Sequence, residues 1–320
     1  MPLSDGLQGW WCPSLDTAGN GTNTLTDLSG NGNNGTLTDM DAATDWVADT
    51  DSGGVRALDF DGDNDIIRLG TIAVDNVLQL ASGAMSISLW IKPTLSGDLF
   101  QRLVDKSDGG NGANGYALYL DAYTYYPSLA FNGNGTQFKA DTAPTANVWN
   151  HLAVTKVDDS PARFYLNGTE LSLSLSTAAN IPSAECDLSF ASWNHSTARE
   201  YTGRMDSLAL YNRTLTSDEV SQLYNGGRSL NLLGPPLLVQ QSSHTAYIKE
   251  FYINELGGVV NQDIASISTI INSSKEQRII QDSNIPNTTG NPTIKRYLEL
   301  EAADGYSLKN INNNIIITST

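Results

Sequence analysis

Short runs of alternating apolar and polar residues, separated by turns rich in Gly, Asn, Asp and Thr, cover residues 5–232. Such runs predict β-strands with one buried face. Clear examples are residues 118–120, 128–131 and 188–190. In residues 85–93 the alternation is imperfect, which is typical of a strand covered on both faces. Many short strands of this kind pack most readily as two antiparallel sheets, face to face.

One short helix is predicted after the last strand of this region. Thr216 or Ser217 can cap its N-terminus, and the acidic residues that follow interact favourably with the helix dipole. Its apolar stripe, at spacing i, i+3 and i+4, consists of Val220, Leu223 and Tyr224. Two glycines, at 226 and 227, then end the helix.

Several segments follow one another in an order that is typical of a known fold. They are residues 6–11 (GLQGWW), 27–37 (DLSGNGNNGTL), 57–69, 85–93, 148–155, 163–168 and the strand-and-helix segment 201–227. In this order they resemble the laminin-G-like, concanavalin A-like jelly rolls of the lectin and glucanase superfamily. The resemblance covers about residues 5–232 and implies an all-β, two-sheet antiparallel sandwich that displays a recognition surface.

The sequence changes character after residues 233–236, where Pro235 and Pro236 predict a stiff, extended linker. From 237 to 320, Asp becomes rare while Ile and Asn become common. The predicted strands of this part are residues 246–253, 297–300 and 315–320. Residues 264–271 have helical spacing, but their β-branched content argues against a helix. No family is recognised for this region, and we predict a small β-rich, or α+β, domain that anchors or oligomerises the first.

The chain has 320 residues, which suits two domains, and a net charge of −17 at pH 7. An acidic protein repels phosphate backbones, so we expect no nucleic-acid partner. No apolar run approaches the length of a membrane span, so we expect no membrane insertion. A solvated surface explains the acidity, although Asp-rich loops also suit hard cations.

Calcium is the cofactor that the resemblance implies, because jelly rolls of this kind often hold a structural calcium where the first loop meets the closing strand. The matching positions are Asp27, Asn31, Asn33 and Asp206. Carboxylate and amide oxygens are the ligands that calcium prefers. The alternative is that these residues form Asx turns. A second Asp-rich segment lacks the terminal Glu of an EF-hand, and we predict a hairpin turn at residues 61–64.

Two loops combine aromatic rings with amide groups, the combination that a glycan site uses. The candidate glycan-binding residues are Tyr123, Tyr125, Tyr126, Asn132 and Asn134 in the first loop and Trp193 and Asn194 in the second. For any one of these rings, packing in the core or at its rim is the alternative. The three histidines do not stand at metal-binding spacing, so a zinc site is not predicted.

Catalysis is not predicted. Residues 1–232 contain Glu170, Glu185, Glu200 and Glu219, and none lies in the Glu-x-Asp-x-x-Glu pattern of hydrolases with this sandwich. A Gly-x-Ser-x-Gly nucleophile elbow is also missing. The two cysteines, Cys12 and Cys186, are either buried free thiols or a disulfide, and their spacing does not decide between the two.

The first residues lack the basic and apolar parts of a secretory signal. Because glycan-binding jelly rolls act outside cells, this favours display on a particle that is released by lysis. We therefore predict a non-enzymatic virion surface protein: a capsid decoration, head-fibre or tail-associated protein that binds a glycan or surface. Its other predicted partners are itself, as a homo-oligomer such as a trimer, and a viral capsid or tail protein. The alternatives are a secreted bacterial carbohydrate-binding or adhesion module and, more remotely, a glycoside hydrolase.

Overall fold

The computed structural model of the chain separates into two compact units, Met1–Leu237 and Leu238–Thr320. The structure describes residues 2–72, 76–80, 83–95, 100–107, 114–131, 136–183, 185–193 and 199–233, together with the backbone of six strands between residues 246 and 319. In the described residues, no helix is long and apolar enough to span a bilayer.

The described strands of the first unit are short, with one helix after the last of them. In chain order they are β1 (Leu7–Trp11), β2 (Thr24–Leu25), β3 (Gly35–Thr38), β4 (Trp46–Ala48), β5 (Arg56–Asp61), β6 (Ile66–Ile72), β7 (Ala84–Pro93), β8 (Gln101–Ser107), β9 (Gly115–Leu120), β10 (Pro127–Phe131), β11 (Thr136–Ala140), β12 (Asn150–Val157), β13 (Arg163–Leu166), β14 (Thr169–Glu170), β15 (Leu173–Leu175), β16 (Cys186–Phe190) and β17 (Thr202–Tyr211). The helix, α1, is Ser217–Asn225.

These strands form two antiparallel sheets, as the sequence predicts. The eight-stranded sheet has the order β14-β13-β12-β7-β17-β5-β4, with β1 also paired to β17. The nine-stranded sheet has the order β15-β11-β10-β9-β8-β16-β6-β3-β2. A large apolar core lies between them, in which Trp11 packs edge-on against Phe190 with ring centroids 4.9 Å apart. The jelly-roll sandwich is therefore confirmed.

Strand β7 shows why its alternation is imperfect. Its odd-numbered residues, such as Ile87, pack in the core between the sheets. Ser86 and Ser88 are buried on the opposite face. Ser86 Oγ accepts a hydrogen bond from Leu215 N at 3.0 Å, and Ser88 Oγ lies 2.9 Å from His151 Nε2. Both faces of β7 are thus covered.

Helix α1 has the predicted boundaries. Thr216 is its N-cap and forms a capping box with Glu219, whose carboxylate also pairs with Arg213 at 2.8 Å. Val220 and Leu223 are buried in a second apolar cluster on the outer face of the eight-stranded sheet. This packing closes that face of the sandwich.

The turn after β5 differs from its prediction. Residues 62–65 do form a tight turn, in which Asp65 Oδ2 accepts a hydrogen bond from Asp61 N at 2.9 Å. However, β5 pairs with β4 and β17, whereas β6 pairs with β3 and β16. The chain therefore crosses from one sheet to the other at this turn, and the predicted hairpin is wrong.

The second unit is β-rich. Its described strands are β18 (Ala246–Ile253), β19 (Val259–Ile267), β20 (Glu276–Asp282), β21 (Lys295–Ala302), β22 (Tyr306–Ile311) and β23 (Asn314–Ser319). Four of them form an antiparallel sheet in the order β19-β18-β21-β20, while β22 and β23 pair as a hairpin. Strand β19 includes residues 264–267, so the β-branched residues there prevail over the helical spacing.

Candidate functional site

Several connections of the nine-stranded sheet meet at one of its ends. Leu120, the last residue of β9, pairs with Gln101 at the start of β8 and with Pro127 at the start of β10. On the other side of β8, Ala191 N donates a hydrogen bond to Leu103 O, just after the end of β16. Aromatic side chains from these connections are therefore gathered at this end. We call it the aromatic end and define it by Phe100, Tyr119, Tyr123, Trp193 and Arg199.

The loop between β9 and β10 presents Tyr123 to solvent. Asp121 holds the loop in shape: its carboxylate accepts a hydrogen bond from Thr124 Oγ1 at 2.9 Å and pairs with Lys139 Nζ at 2.7 Å. Tyr125 has a left-handed backbone conformation, with φ of 54°. The ring of Tyr123 is 83% exposed. A fixed loop thus holds an aromatic ring in water, where a ligand can stack on it.

Two guanidinium groups and three aromatic rings of this end lie next to one another. The Arg199 guanidinium lies 4.5 Å from the centre of the Trp193 ring and 5.7 Å from that of Phe100. Phe100 in turn packs edge-on against Tyr119, with centroids 5.7 Å apart, and Arg102 lies 4.8 Å over the other side of Tyr119. These five residues form a continuous arginine–aromatic ladder on the outer face of the sheet.

The charges at this end are buried to different degrees. Arg102 is buried, and its Nε lies 3.2 Å from Asp105 Oδ2. Desolvation lowers the pKa of Arg102, and the nearby positive charge of Arg199 lowers it further. At Asp121, burial alone would raise the pKa, but the hydrogen bonds from Lys139 and Thr124 together with the charge of Lys139 outweigh it, and the pKa of the carboxyl is lowered.

The structure brings together four of the predicted glycan-binding residues. Tyr123, Tyr125, Tyr126 and Trp193 all belong to connections at this end of the sheet. Asn132, Asn134 and Asn194 lie outside the described residues. Sequence reasoning missed Phe100, Arg102 and Arg199, because the strand that contains Arg102, QRLVDKS, is polar at most of its positions and does not distinguish the buried arginine.

The predicted metal position Asp27 is engaged by hydrogen-bond donors. Its Oδ1 accepts from Trp10 N at 3.0 Å and Ser29 N at 2.9 Å, and its Oδ2 accepts from Asn33 N at 2.9 Å. The Asn31 amide instead donates to Gln8 O at 2.9 Å. These contacts tie the first loop to β1. They fit the Asx-turn interpretation better than a cation site.

Asp206 is bound to a cation of the protein itself. Its buried carboxylate accepts hydrogen bonds from Arg228 Nε at 3.0 Å and from Ser14 Oγ at 2.5 Å. Arg228 also pairs with Asp49 at 2.9 Å and stacks 3.7 Å over the Trp149 ring. Within the described residues, no group of three or more His, Cys, Asp or Glu side chains is arranged to hold a metal. Calcium at Asp27 and Asp206 remains a prediction.

The remaining reactive side chains lie away from the aromatic end or are engaged elsewhere. His151 is fully buried against Ser88, and burial lowers its pKa to about 3. Cys12 and Cys186 are buried free thiols. A neutral, enclosed imidazole and enclosed thiols are typical of structural positions.

Comparisons with known proteins agree on the fold. The sequence profile of the concanavalin A-like lectin/glucanases superfamily matches residues 61–221. No curated protein sequence matches the chain.

Three similar solved structures illustrate the range of proteins with this fold. A Trypanosoma rangeli sialidase, in complex with 2,3-difluorosialic acid, is 14% identical with a TM-score of 0.50 and matches 69% of this chain. This chain spans only 33% of that sialidase. The binding domain of Paraclostridial mosquitocidal protein 1 is 15% identical with a TM-score of 0.51, and the match covers 99% of this chain and 76% of that one. Domain 4 of the extracellular arabinanase AbnA from Geobacillus stearothermophilus, in complex with arabinotriose, is 20% identical with a TM-score of 0.47, covering 68% and 98%. At these identities, the two structures with TM-scores of 0.50 and 0.51 show a common fold and nothing more.

Proposed function

Because the chain belongs to the concanavalin A-like lectin/glucanases superfamily, we propose that it is a non-enzymatic recognition protein whose first unit binds a glycan at the aromatic end. The exposed ring of Tyr123 on its hydrogen-bonded loop is the observation that carries this proposal. Ligand sites combine aromatic surface with a few well-placed polar groups. Phe100 and Trp193, both half-buried, extend the aromatic surface, and Asp121 and Lys139 supply polar groups beside it.

Two of the four glutamates of the first unit, Glu170 and Glu219, are paired with arginines. A glycosidase needs two carboxyl groups that flank the scissile bond, one of them protonated as the general acid. Glu170 lies 3.9 Å from Arg163 at the surface, and Glu219 is held by Arg213 at 2.8 Å beside the helix. At Glu219 the hydrogen bonds from Arg213 and Thr216 outweigh burial and lower the pKa of the carboxyl, which is the wrong direction for a general acid. Glycoside hydrolysis is therefore the weaker alternative.

A glycan array probed with the full-length protein tests this function. We expect Tyr123→Ala to reduce binding by about tenfold or more, because a central aromatic contact often contributes at least 2 kcal/mol. Tyr224→Ala is the matched control, since that ring is partly exposed on helix α1 and stacks on Trp90. If Tyr224→Ala abolishes binding while Tyr123→Ala leaves it unchanged, the glycan site is not at the aromatic end.

We further propose that the protein is displayed on a virion surface as a homo-oligomer, such as a trimer, attached to a capsid or tail protein. The second compact unit supports this proposal, because β19 and β20 lie at the two edges of its sheet. Edge strands carry backbone donors and acceptors that can pair with another chain. A secreted bacterial adhesion module, the alternative, would use the same first unit without requiring self-association.

Mass in solution distinguishes these settings. Light scattering should show an oligomer for the full chain and a monomer for residues 1–237. Measurements in calcium and in chelator should agree unless the predicted calcium takes part in assembly. Monomers in both cases would argue against particle display and favour the secreted module.

A further inference from the structure

We propose that the glycan bound at the aromatic end carries a carboxylate, as uronic and sialic acids do, and that Arg199 and Arg102 hold that carboxylate. This inference rests on the proposed function for its location and adds the chemical class of the ligand. The position of Arg199 supports this inference. Its guanidinium lies over Trp193 and Phe100, and it forms no ion pair with any described residue.

The guanidinium of Arg199 is not paired with a carboxylate of the described residues, a feature it shares with Arg56, whose guanidinium donates to the backbone carbonyls of Pro13 and Asp16. Arg163, Arg204 and Arg213 each pair with an acidic side chain of the protein. Arg199 instead has its guanidinium carbon 4.5 Å from the centre of the Trp193 ring and 5.7 Å from that of Phe100, and it is half-buried. Stacking on rings leaves the in-plane N–H groups of a guanidinium available, and these are the groups that bind a carboxylate through two parallel hydrogen bonds.

Arg102 lies beside Arg199 and supports the same inference. Its backbone N donates to Arg199 O at 3.0 Å, so the two residues are held side by side. Arg102 is buried, and its Nη1 has no hydrogen-bond acceptor within the described part of the chain. A buried donor without a partner destabilises a fold. A ligand oxygen near both arginines would satisfy this donor.

The local charge balance favours an anion. Asp105 pairs with Arg102, and Asp121 pairs with Lys139. Arg199 forms no ion pair with the described carboxylates, among them that of Glu200, which follows it in the chain and is buried. The two guanidiniums also repel each other, because the charge of Arg199 contributes to the lowered pKa of Arg102. A bound carboxylate would relieve this repulsion, while Trp193 and Phe100 supply aromatic surface for the sugar ring.

Matched probes that differ only in charge test the proposal. Trigalacturonic acid is compared with its methyl ester, and 3′-sialyllactose with its methyl ester, by titration calorimetry on the full-length protein. We expect at least one acid to bind about tenfold or more tightly than its neutral counterpart, since hydrogen bonds to charged groups are the stronger class. That preference should weaken as salt rises from 50 to 500 mM, because screening reduces charge–charge attraction at a partly exposed site.

Two arginine variants locate the effect. Arg199→Gln should remove most of the preference for the acid while leaving the affinity for the neutral probe unchanged. Arg163→Gln is the control, because that arginine is exposed on the eight-stranded sheet. Arg102→Gln should have the same effect as Arg199→Gln. If Arg102→Gln fails to fold, Arg199→Lys replaces it. This variant keeps the charge but loses the planar guanidinium, and it should also lower the affinity for the acidic probe.

The outcomes separate this inference from the proposed function. Equal affinity for acidic and neutral probes, with Tyr123→Ala still weakening both, would overturn the carboxylate and leave glycan binding in place. An acid preference that survives Arg199→Gln would also overturn it. If no glycan on the array or in solution binds, both the proposed function and this inference fail.

Discussion

Replacing Arg228 by Met removes a fully buried cation of the first unit. Its side chain is 0% exposed, and it donates hydrogen bonds to the carboxylates of Asp206 and Asp49 and to two backbone carbonyls. Met retains the aliphatic volume and can still pack against Trp149. The substitution therefore tests the charge rather than the cavity.

The expected loss in the free energy of unfolding depends on the partners that Asp49 and Asp206 retain without Arg228. Asp49 keeps Arg204 at 2.8 Å, but Asp206 is also 0% exposed and keeps only uncharged donors, such as Ser14. Leaving a buried charge without its partner typically costs about 3–5 kcal/mol. For a domain of this size, that loss lowers the melting temperature by roughly 10 °C.

Tryptophan fluorescence during thermal and urea unfolding measures this loss in the full-length protein. All six tryptophans lie in the first unit, so the signal reports that unit. Arg163→Met, at an exposed position, is the control and should change stability by less than about 0.5 kcal/mol. Arg228→Met combined with Asp206→Asn should be more stable than Arg228→Met alone by about 2 kcal/mol, because the unpaired charge is gone.

The pH dependence gives a second, independent result. Burial raises the pKa of Asp206 even with Arg228 present, and loss of Arg228 raises it further. In Arg228→Met the folded protein then binds a proton more tightly than the unfolded chain does. The free energy of unfolding that Arg228→Met loses relative to wild type should therefore be small in mild acid and should increase as pH rises. A cost below 1 kcal/mol at pH 8, or a deficit that does not change with pH, would refute the reasoning.

Three further predictions concern other titratable or ligand-binding groups. Burial, with the charges of Asp61 and Asp45, raises the pKa of Asp65 to about 6, so the folded state loses stability as pH rises from about 4 to about 6. The melting temperature of Asp65→Asn should therefore exceed that of wild type above pH 6 and equal it near pH 4. A full increase in melting temperature already at pH 4 would contradict this. Burial lowers the pKa of His151 to about 3, so stability is lost as pH falls below the unfolded pKa near 6.5. The melting temperature of His151→Gln should therefore decrease less with falling pH than that of wild type. If calcium binds at Asp27, as the sequence predicts, the melting temperature should be higher in calcium than in chelator, and that of Asp27→Asn should be the same in both. Equal melting temperatures of the wild type in the two buffers would contradict a calcium site.

Elements with strong local signals could be predicted from the sequence. Helix α1 has a capping residue, an acid three positions later and an apolar stripe, and these act within one or two turns of the chain. Thr216 and Glu219 therefore fix the start of the helix without reference to the rest of the fold. Strand β7 was predicted for a similar reason, since the alternation of its own residues shows two covered faces.

The turn after β5 shows where local reasoning stops. Gly62 and Asn64 both adopt positive φ, with values of 83° and 73°, and this chemistry suits a hairpin and a crossing between sheets equally well. What decides between them is the pairing of β5 with β17 and of β6 with β16. Those partners lie more than a hundred residues away along the chain, and no pattern within the turn encodes them.

The candidate site was predicted in part for the same reason. Tyr123 and its neighbours form a cluster within one loop, which composition alone reveals. Arg199 and Phe100 lie about a hundred residues apart and meet only because β16 pairs with β8. Alternation predicts that Arg102 points away from the core, but it does not predict which aromatic ring the guanidinium covers.

Arg228 and Arg199 represent two uses of the same side chain on the two sheets. On the eight-stranded sheet, Arg228 is enclosed and pairs with carboxylates of the protein, so its charge contributes to folding and is closed to ligands. On the nine-stranded sheet, Arg199 is half-buried between aromatic rings and has no acidic partner among the described residues. A charge that is balanced internally stabilises the fold, whereas one that is held in place and left unbalanced is available for a partner. Loss of Arg228 should therefore appear in melting curves, and loss of Arg199 in binding isotherms, with little effect of either variant in the other assay once the protein is folded.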